Sequence, residues 1–228
     1  MIIHDIHRWD IGYREAAALQ ERLRKEIIVS GQGRRMRLVA GADVSCEKRG
    51  DLLWAAVVVM DIDTLSVVET AHHISRVSFP YIPGLLSFRE GPILLSALET
   101  LSVTPDAVIF DGQGIAHPRG FGLAAHLGLI LGIPTVGCAK KRLVGEHDQV
   151  GEERGNKTPL MFGGETVGYV VRTKRKTKPV FVSPGNLISP EDSAELVLAA
   201  TGRHRIPEPV REAHILVNRL RMDTRSCT

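Results

Sequence analysis

Between Val108 and Gly128 the chain reads VIFDGQGIAHPRGFGLAAHLG, a stretch whose residue types suit work on a phosphate ester. Asp111 closes an apolar run of Val108, Ile109 and Phe110, and glycines, a His-Pro-Arg and an Ala/Leu-rich run follow. A second apolar stretch, Pro134 to Cys138, leads into Ala139-Lys140-Lys141-Arg142. A carboxylate beside a lysine, with glycines that let backbone come close, suits a metal ion and a phosphate. The elements that must position them follow from the same residues. The β-branched and aromatic run ended by Asp-Gly predicts a strand buried on both faces, and Phe121 to Leu131 predicts a helix. With the strand from Pro134 this makes a βαβ unit whose parallel strands end on one edge, so Asp111 and Lys140 are expected neighbours where α/β sheets bind ligands.

Taken in order, Ile11 to Ser30 predicts an amphipathic packing helix with Ala16, Leu19, Leu23 and Ile27 on its apolar stripe. A strand from Met36 reaches Asp43. The β-rich runs Leu52 to Met60 and Ser66 to Ile74, joined by Asp61-Ile62-Asp63-Thr64-Leu65, predict a hairpin. Three antiparallel strands followed by a βαβ unit make a mixed sheet. The Asp61-Ile62-Asp63-Thr64 run also matches the strand-end nucleophile of haloacid-dehalogenase-like phosphatases. That fold needs a helix next, and a second β run follows instead, so turn residues are the preferred reading.

Pro80 and Pro83 hold Tyr81 and Ile82 in a stiff extended loop, either presented outward or tucked into the core. Ser87 to Glu90 has capping-box spacing at the head of a helix running to Leu101, so Glu90 reads either as a cap partner or as an active-site carboxylate. Gly145 to Lys157 predicts a loop. The runs Thr166 to Thr173 and Pro179 to Val182 flank a basic tip, Lys174 to Lys178, read as a solvated face in preference to a phosphate contact. Ser189-Pro190-Glu191-Asp192 caps a helix that stops near Gly202. In the last helix, from about Pro209, Val210, His214 and Val217 share one inward face, which reads His214 as a core residue.

Composition sets bounds on this. The 228 residues suffice for a substantial core in one large domain or two small ones. A formal charge of +3 and a pI near 8.9 lean towards a nucleic-acid partner without requiring one. No apolar run is long enough to span a membrane, and the first residues lack a secretory pattern. Cys46, Cys138 and Cys227 are too scattered for a disulfide framework or a zinc ribbon, so a reducing cytosol is expected.

The motifs together resemble one family, endonuclease V, inosine-directed nucleases of ribonuclease-H-like fold. Those that carry the resemblance are GADVS around Asp43, PYIPGLLSFRE from Pro80 to Glu90, and FDGQGIAHPRGFGLAAHLG from Phe110 to Gly128. VGCAKKRL from Val136, KPVFVSPGN from Lys178 and PEPVREAH ending at His214 complete the set. They cover most of the chain from residue 41, which the resemblance makes a single domain over residues 1–228. The fold class expected is α/β, a ribonuclease-H-like mixed sheet flanked by helices.

Residue by residue, the resemblance implies that Asp43 and Asp111 bind the metal, Mg²⁺ with Mn²⁺ as substitute. Glu90 is then the third acid, His214 a further active-site residue and Lys140 a phosphate contact. Tyr81 becomes a wedge filling the space of a displaced base. The base pocket would be built from Gly84, Leu86, Gly112, Gln113, Gly114, His117 and Gly122. Gly120 departs from the pattern, because many relatives carry a second basic residue there. The implied reaction is a nick at the second phosphodiester bond 3′ to inosine, leaving 3′-hydroxyl and 5′-phosphate ends, in DNA repair. Partners are inosine-containing DNA, single- or double-stranded, or RNA, acted on by a cytoplasmic monomer. Two rivals are a non-catalytic nucleic-acid-binding module and a phosphatase using Asp61. Keeping all three acids and the lysine argues against the first, and the hairpin against the second.

Overall fold

The computed structural model of the protein describes residues 1–31, 35–47 and 50–226, so Cys227 lies outside the described residues. Cys46 and Cys138 are both free thiols. The first three strands, β1 (Leu38–Cys46), β2 (Leu52–Asp61) and β3 (Ser66–Arg76), form the expected antiparallel meander. Then come helix α2 (Leu86–Glu99), β4 (Ala107–Phe110), α3 (Leu123–Leu131) and β5 (Thr135–Ala139). The meander joins the βαβ unit through β1, which runs parallel to β4, and β4 runs parallel to β5. Three more antiparallel strands, β6 (Lys157–Phe162), β7 (Glu165–Val171) and β8 (Val180–Asn186), extend the sheet to the order β3-β2-β1-β4-β5-β8-β7-β6.

The central strands are buried on both faces because their side chains alternate between two apolar layers. Val108 and Phe110 pack with Ala40, Ala42 and the inner faces of α2 and α3. Ala107 and Ile109 point the other way, to Val39 and to helix α4 (Pro190–Ala199) and helix α5 (Glu208–Ser226). Helix α1 (Tyr13–Leu23) covers α2 and α3 through Ala16 and Leu23. Among the described residues no helix is long and apolar enough to cross a membrane.

Helix α5 reaches the sheet through one missing side chain. A Cβ on Gly41 would lie 2.1 Å from the Pro209 carbonyl carbon, so only glycine lets the first turn of α5 rest on β1. That docking carries His214 to Asp43 in β1. Helix α4 begins as its sequence predicts, with the Asp192 N–H donating to Ser189 Oγ at 3.0 Å and Pro190 in the first turn.

Two segments depart from the sequence expectations. The first helix ends at Leu23 in a short 3-10 turn, Arg24–Glu26, and does not run to Ser30. From Ile27 the chain is extended, because the Ile28 N–H donates to Asn186 Oδ1 (2.9 Å) and the Ile28 carbonyl accepts from the Leu187 N–H (2.7 Å). Tertiary pairing overrides helix propensity there. Strand β6 has no counterpart in the expectations. It holds Pro159, which is tolerated because β6 is a sheet edge. The sequence signal was Gly163-Gly164, both at positive φ in the tight turn to β7.

Candidate active site

Parallel register brings the acids together. Ala42 lies opposite Phe110 and Phe110 opposite Gly137, so Asp43, within β1, comes beside Asp111 and Lys140, which directly follow β4 and β5. The Asp111 N–H donates to the Ala42 carbonyl at 3.2 Å, and Lys140 Nζ donates to Asp111 Oδ2. His214 Nδ1 lies 2.6 Å from Asp43 Oδ2. Asn218 Nδ2, which can only donate, lies 3.1 Å from His214 Nε2 and 2.8 Å from the His214 carbonyl. The donor geometry makes Nε2 an acceptor, so Nδ1 carries the proton donated to Asp43. His214 is more than half exposed, while Val210 and Val217 of the same helix are buried. The inward stripe therefore stops short of His214, which leans off it to reach Asp43.

Glu90, on α2, completes the acidic group. Burial first, then the charges of Asp43 and Asp111, push its carboxyl up to about 8. Burial and Asp111 likewise raise Asp43, against the opposing pull of His214. Burial works to lower Lys140, but its hydrogen bond to Asp111 prevails and holds it above the ordinary lysine range. Among the described residues no three His, Cys, Asp or Glu side chains form a ready-made metal cage. The donor set nonetheless fits Mg²⁺, which is held by one or two carboxylates and keeps several waters. The upward shifts mark carboxyls that burial first, and then one another's charge, hold towards the neutral form, a cost that a bound cation would relieve.

Beside this edge lies a cavity of about 150 Å³, room for about five waters at ~30 Å³ each, or for one flat ring system. Tyr81, Gly84, Leu86, Gln113, His117 and Gly122 line it, together with Gln20, Ile82, Pro83, Ser87, Leu123 and Leu143. Gly112 and Gly114 do not reach its wall. Gly112 backs onto Leu123, and Gly114 is held against β8, its N–H donating to Ser183 Oγ at 2.8 Å. Gly120 turns at φ 65° with open space around it, a conformation that favours glycine over a larger basic residue.

The proline loop is clamped at its base and open at its tip. Gly84 takes φ 79°, and its carbonyl accepts from Arg119 Nη2 (2.7 Å) and Gln20 Nε2 (3.1 Å), while Arg119 Nε donates to Gln20 Oε1 (2.6 Å). Arg89 Nη1 donates to the Phe79 carbonyl at 3.0 Å. Ile82 packs onto Phe79 and Phe88, whereas Tyr81 is 70% exposed. His117 Nδ1 accepts from the Arg119 N–H at 3.2 Å, and burial with the Arg119 charge drops its pKa to about 4, so the ring is neutral. Gln113 Nε2 donates to the Lys141 carbonyl at 3.2 Å, but its buried Oε1 has no partner among the described residues.

Several of these residues were not singled out by the sequence. Gln20 is a buried polar residue on the apolar face of α1, between Ala16 and Leu23, and that break in the stripe was its signal. Arg119, next to His117, acts on a loop far away in sequence, and nothing local announces it. The capping box is absent: α2 starts at Leu86 behind Leu85, which makes no side-chain cap bond, and the Ser87 hydroxyl pairs with His126. Asp61 closes the hairpin, accepting from the Asp63 and Thr64 N–H groups and pairing with Arg37. The carboxylate of the phosphatase reading is thus committed to a turn. The basic tip at Lys174 to Lys178 is largely exposed, which fits a solvated face and a phosphate contact alike.

Comparison with known proteins agrees with this geometry. The family model for endonuclease V matches residues 21–215. An endonuclease V of Myxococcus xanthus is 48% identical over 218 residues, 95% of this chain and 93% of its own length. The crystal structure of an endonuclease V from Streptomyces avermitilis superposes with a TM-score of 0.90 at 40% identity, covering 98% of this chain and 99% of its own. That of Ciona intestinalis, in complex with a 24mer DNA containing an inosine followed by a ribo-adenosine, gives 0.81 at 27% identity, covering 92% and 98%. Three carboxylates, a lysine and a clamped cavity at one sheet edge are thus carried by a chain that belongs to the endonuclease V family of nucleases.

Proposed function

We propose that the chain is a Mg²⁺-dependent repair endonuclease that takes an extruded hypoxanthine into the cavity. It nicks the second phosphodiester bond on the 3′ side, leaving 3′-hydroxyl and 5′-phosphate ends. The observation that carries this reading is the juxtaposition of Asp43, Glu90, Asp111 and Lys140 with a cavity whose mouth bears the exposed Tyr81. The inosine in the DNA bound by the C. intestinalis enzyme supports the choice of base.

Asp43 and Asp111 would hold the cation, with Glu90 orienting water or sharing a second ion. When bound, the cation supplies positive charge against the carboxylates and the phosphate oxygens. Lys140, kept protonated by Asp111, turns a fixed ammonium towards the phosphate. His214 holds Asp43 through Nδ1–H, and its Nε2, which accepts from Asn218, is the atom at which a proton can be taken. Extruding a base from a duplex costs a few kcal/mol, and stacking of Tyr81 in the gap offsets about 1–3 kcal/mol of it. The cavity reads the base with groups that cannot swing away, because Gly84, Gln20 and Arg119 are bonded to one another. One chain carries every group named, which is consistent with a monomer.

The test is cleavage of an end-labelled duplex carrying one deoxyinosine, with Mg²⁺, against an unmodified duplex and an EDTA control. A single Mg²⁺-dependent nick 3′ to the lesion is expected. Equal cutting of the unmodified duplex, or none of either, overturns the reading. Inosine-containing RNA in the same assay decides whether both nucleic acids are substrates.

A further inference from the structure

We propose that Ser87 is a specificity-determining contact of the cavity, its hydroxyl turned by a histidine pair into an acceptor only and so matched to the single N–H of a hypoxanthine base. The proposal rests on the function proposed above and deepens it.

The chain of hydrogen bonds starts near the surface. His7 Nδ1 lies 2.8 Å from the Arg8 carbonyl, which can only accept, so the proton of His7 is on Nδ1. Burial keeps His7 below its ordinary value although the Arg8 carbonyl and Asp5 favour the charged form, and Arg22 adds to the lowering. Neutral His7 therefore presents a bare Nε2. That atom lies 2.6 Å from His126 Nε2, so His126 must supply the hydrogen. His126 is wholly buried, ringed by Trp9, Phe88 and Phe121 at centroid distances of 5.0, 5.0 and 5.1 Å, and burial holds it far below the ordinary histidine range. A neutral imidazole has one N–H, and His126 has given it to His7. Its Nδ1 is thus an acceptor, and Ser87 Oγ, 2.9 Å away, donates to it.

Ser87 is 2% exposed and lines the cavity. With its proton committed to His126, its hydroxyl oxygen offers a ligand only lone pairs. A hypoxanthine nucleoside has one base N–H, at N1, where an adenine nucleoside has a lone pair. Set against N1, Ser87 therefore favours hypoxanthine over the adenine from which deamination makes it, since adenine's base N–H groups are all on the 6-amino nitrogen. Guanine also carries N1–H and must be turned away elsewhere in the cavity.

The test is equilibrium binding in EDTA of single-stranded oligonucleotides holding one deoxyinosine or one deoxyribosyl purine, which has no base N–H. Single strands remove differences in base pairing. Wild type is expected to prefer the inosine strand, and Ser87→Ala to raise its Kd about tenfold while leaving the purine strand unchanged. His7→Phe, at a half-buried site that keeps a ring in place, is the second variant. It is expected to narrow the same preference by freeing the His126 tautomer. Long-range ¹⁵N NMR of wild type is expected to find His126 protonated at Nε2 and bare at Nδ1. Protonation at Nδ1, equal weakening of both strands by Ser87→Ala, or no change in either overturns the proposal. The last is the result if Gln113 Oε1 takes the N–H instead. A wild type with no preference for inosine overturns the underlying reading of the cavity.

Discussion

At the sheet edge burial and neighbouring charge hold the pKa values of Asp43 and Glu90 above the ordinary carboxylate range, whereas in the adjoining cavity Gln20, Arg119 and His117 already have partners. The edge gathers three carboxylates whose ionised forms a bound cation would favour. The cavity stores shape. The first should govern chemistry, because a charged centre acts where charge develops on the phosphate. The second should govern recognition, because groups ordered in advance lose little entropy when a base enters. Substitutions in the two regions should therefore fail in different assays.

The largest effect expected is at the edge. Asp43→Ala or Asp111→Ala lowers single-turnover nicking of an inosine duplex by about 10³-fold or more while lesion binding stays measurable. Near-normal turnover in either purified variant would erase the distinction between the regions. In the cavity mouth, Tyr81→Ala weakens duplex binding by about tenfold, within the range of one lost base–aromatic stack. Single strands, which have no gap to fill, lose less. Equal loss on both would remove the wedge.

A smaller effect concerns stability. Folded Glu90 keeps its proton to about 8, whereas an unfolded chain releases it near 4.5, so its burial costs stability increasingly as pH rises between those values. Neutral His117 acts oppositely, costing stability as pH falls from 6.5 towards 4. The window from 6.5 to 8 thus isolates the acid. Metal-free protein should lose thermal stability across it, Glu90→Gln should flatten the slope, and Mg²⁺ should raise the melting temperature most at its upper end. A flat profile in metal-free wild type would mean the edge is not charged as described. The smallest effect is at the hairpin: Asp61→Asn loosens the turn and leaves nicking unchanged. A large loss of activity there would revive the phosphatase reading.

Much of the edge is legible in the residues alone. An apolar run ended by Asp111 and another ended by Lys140, separated by a helix, leave few arrangements other than a parallel pair with both residues at one end. The cavity is legible only in part. Tyr81, Gln113, His117 and Gly122 lie in motifs that mark their stretch of chain, but Gln20, Arg119 and Ser87 act on residues far from them in sequence. The missed strand β6 and the shortened α1 share that cause. Pro159 is acceptable only at a sheet edge, and Ile27 and Ile28 leave the helix for a partner near Asn186.

The sequence by itself therefore determined the local elements, the residues at their ends and the kind of chemistry those ends can do, because strand and helix periods and backbone chirality act over short distances. Only the tertiary structure decided which acids share charge, that Ser87 pairs with a buried histidine rather than capping its helix, and that His214 leaves its inward stripe for Asp43. Those outcomes depend on burial and on the docking of α5 across Gly41, quantities set by the whole packed chain and not by any stretch of it.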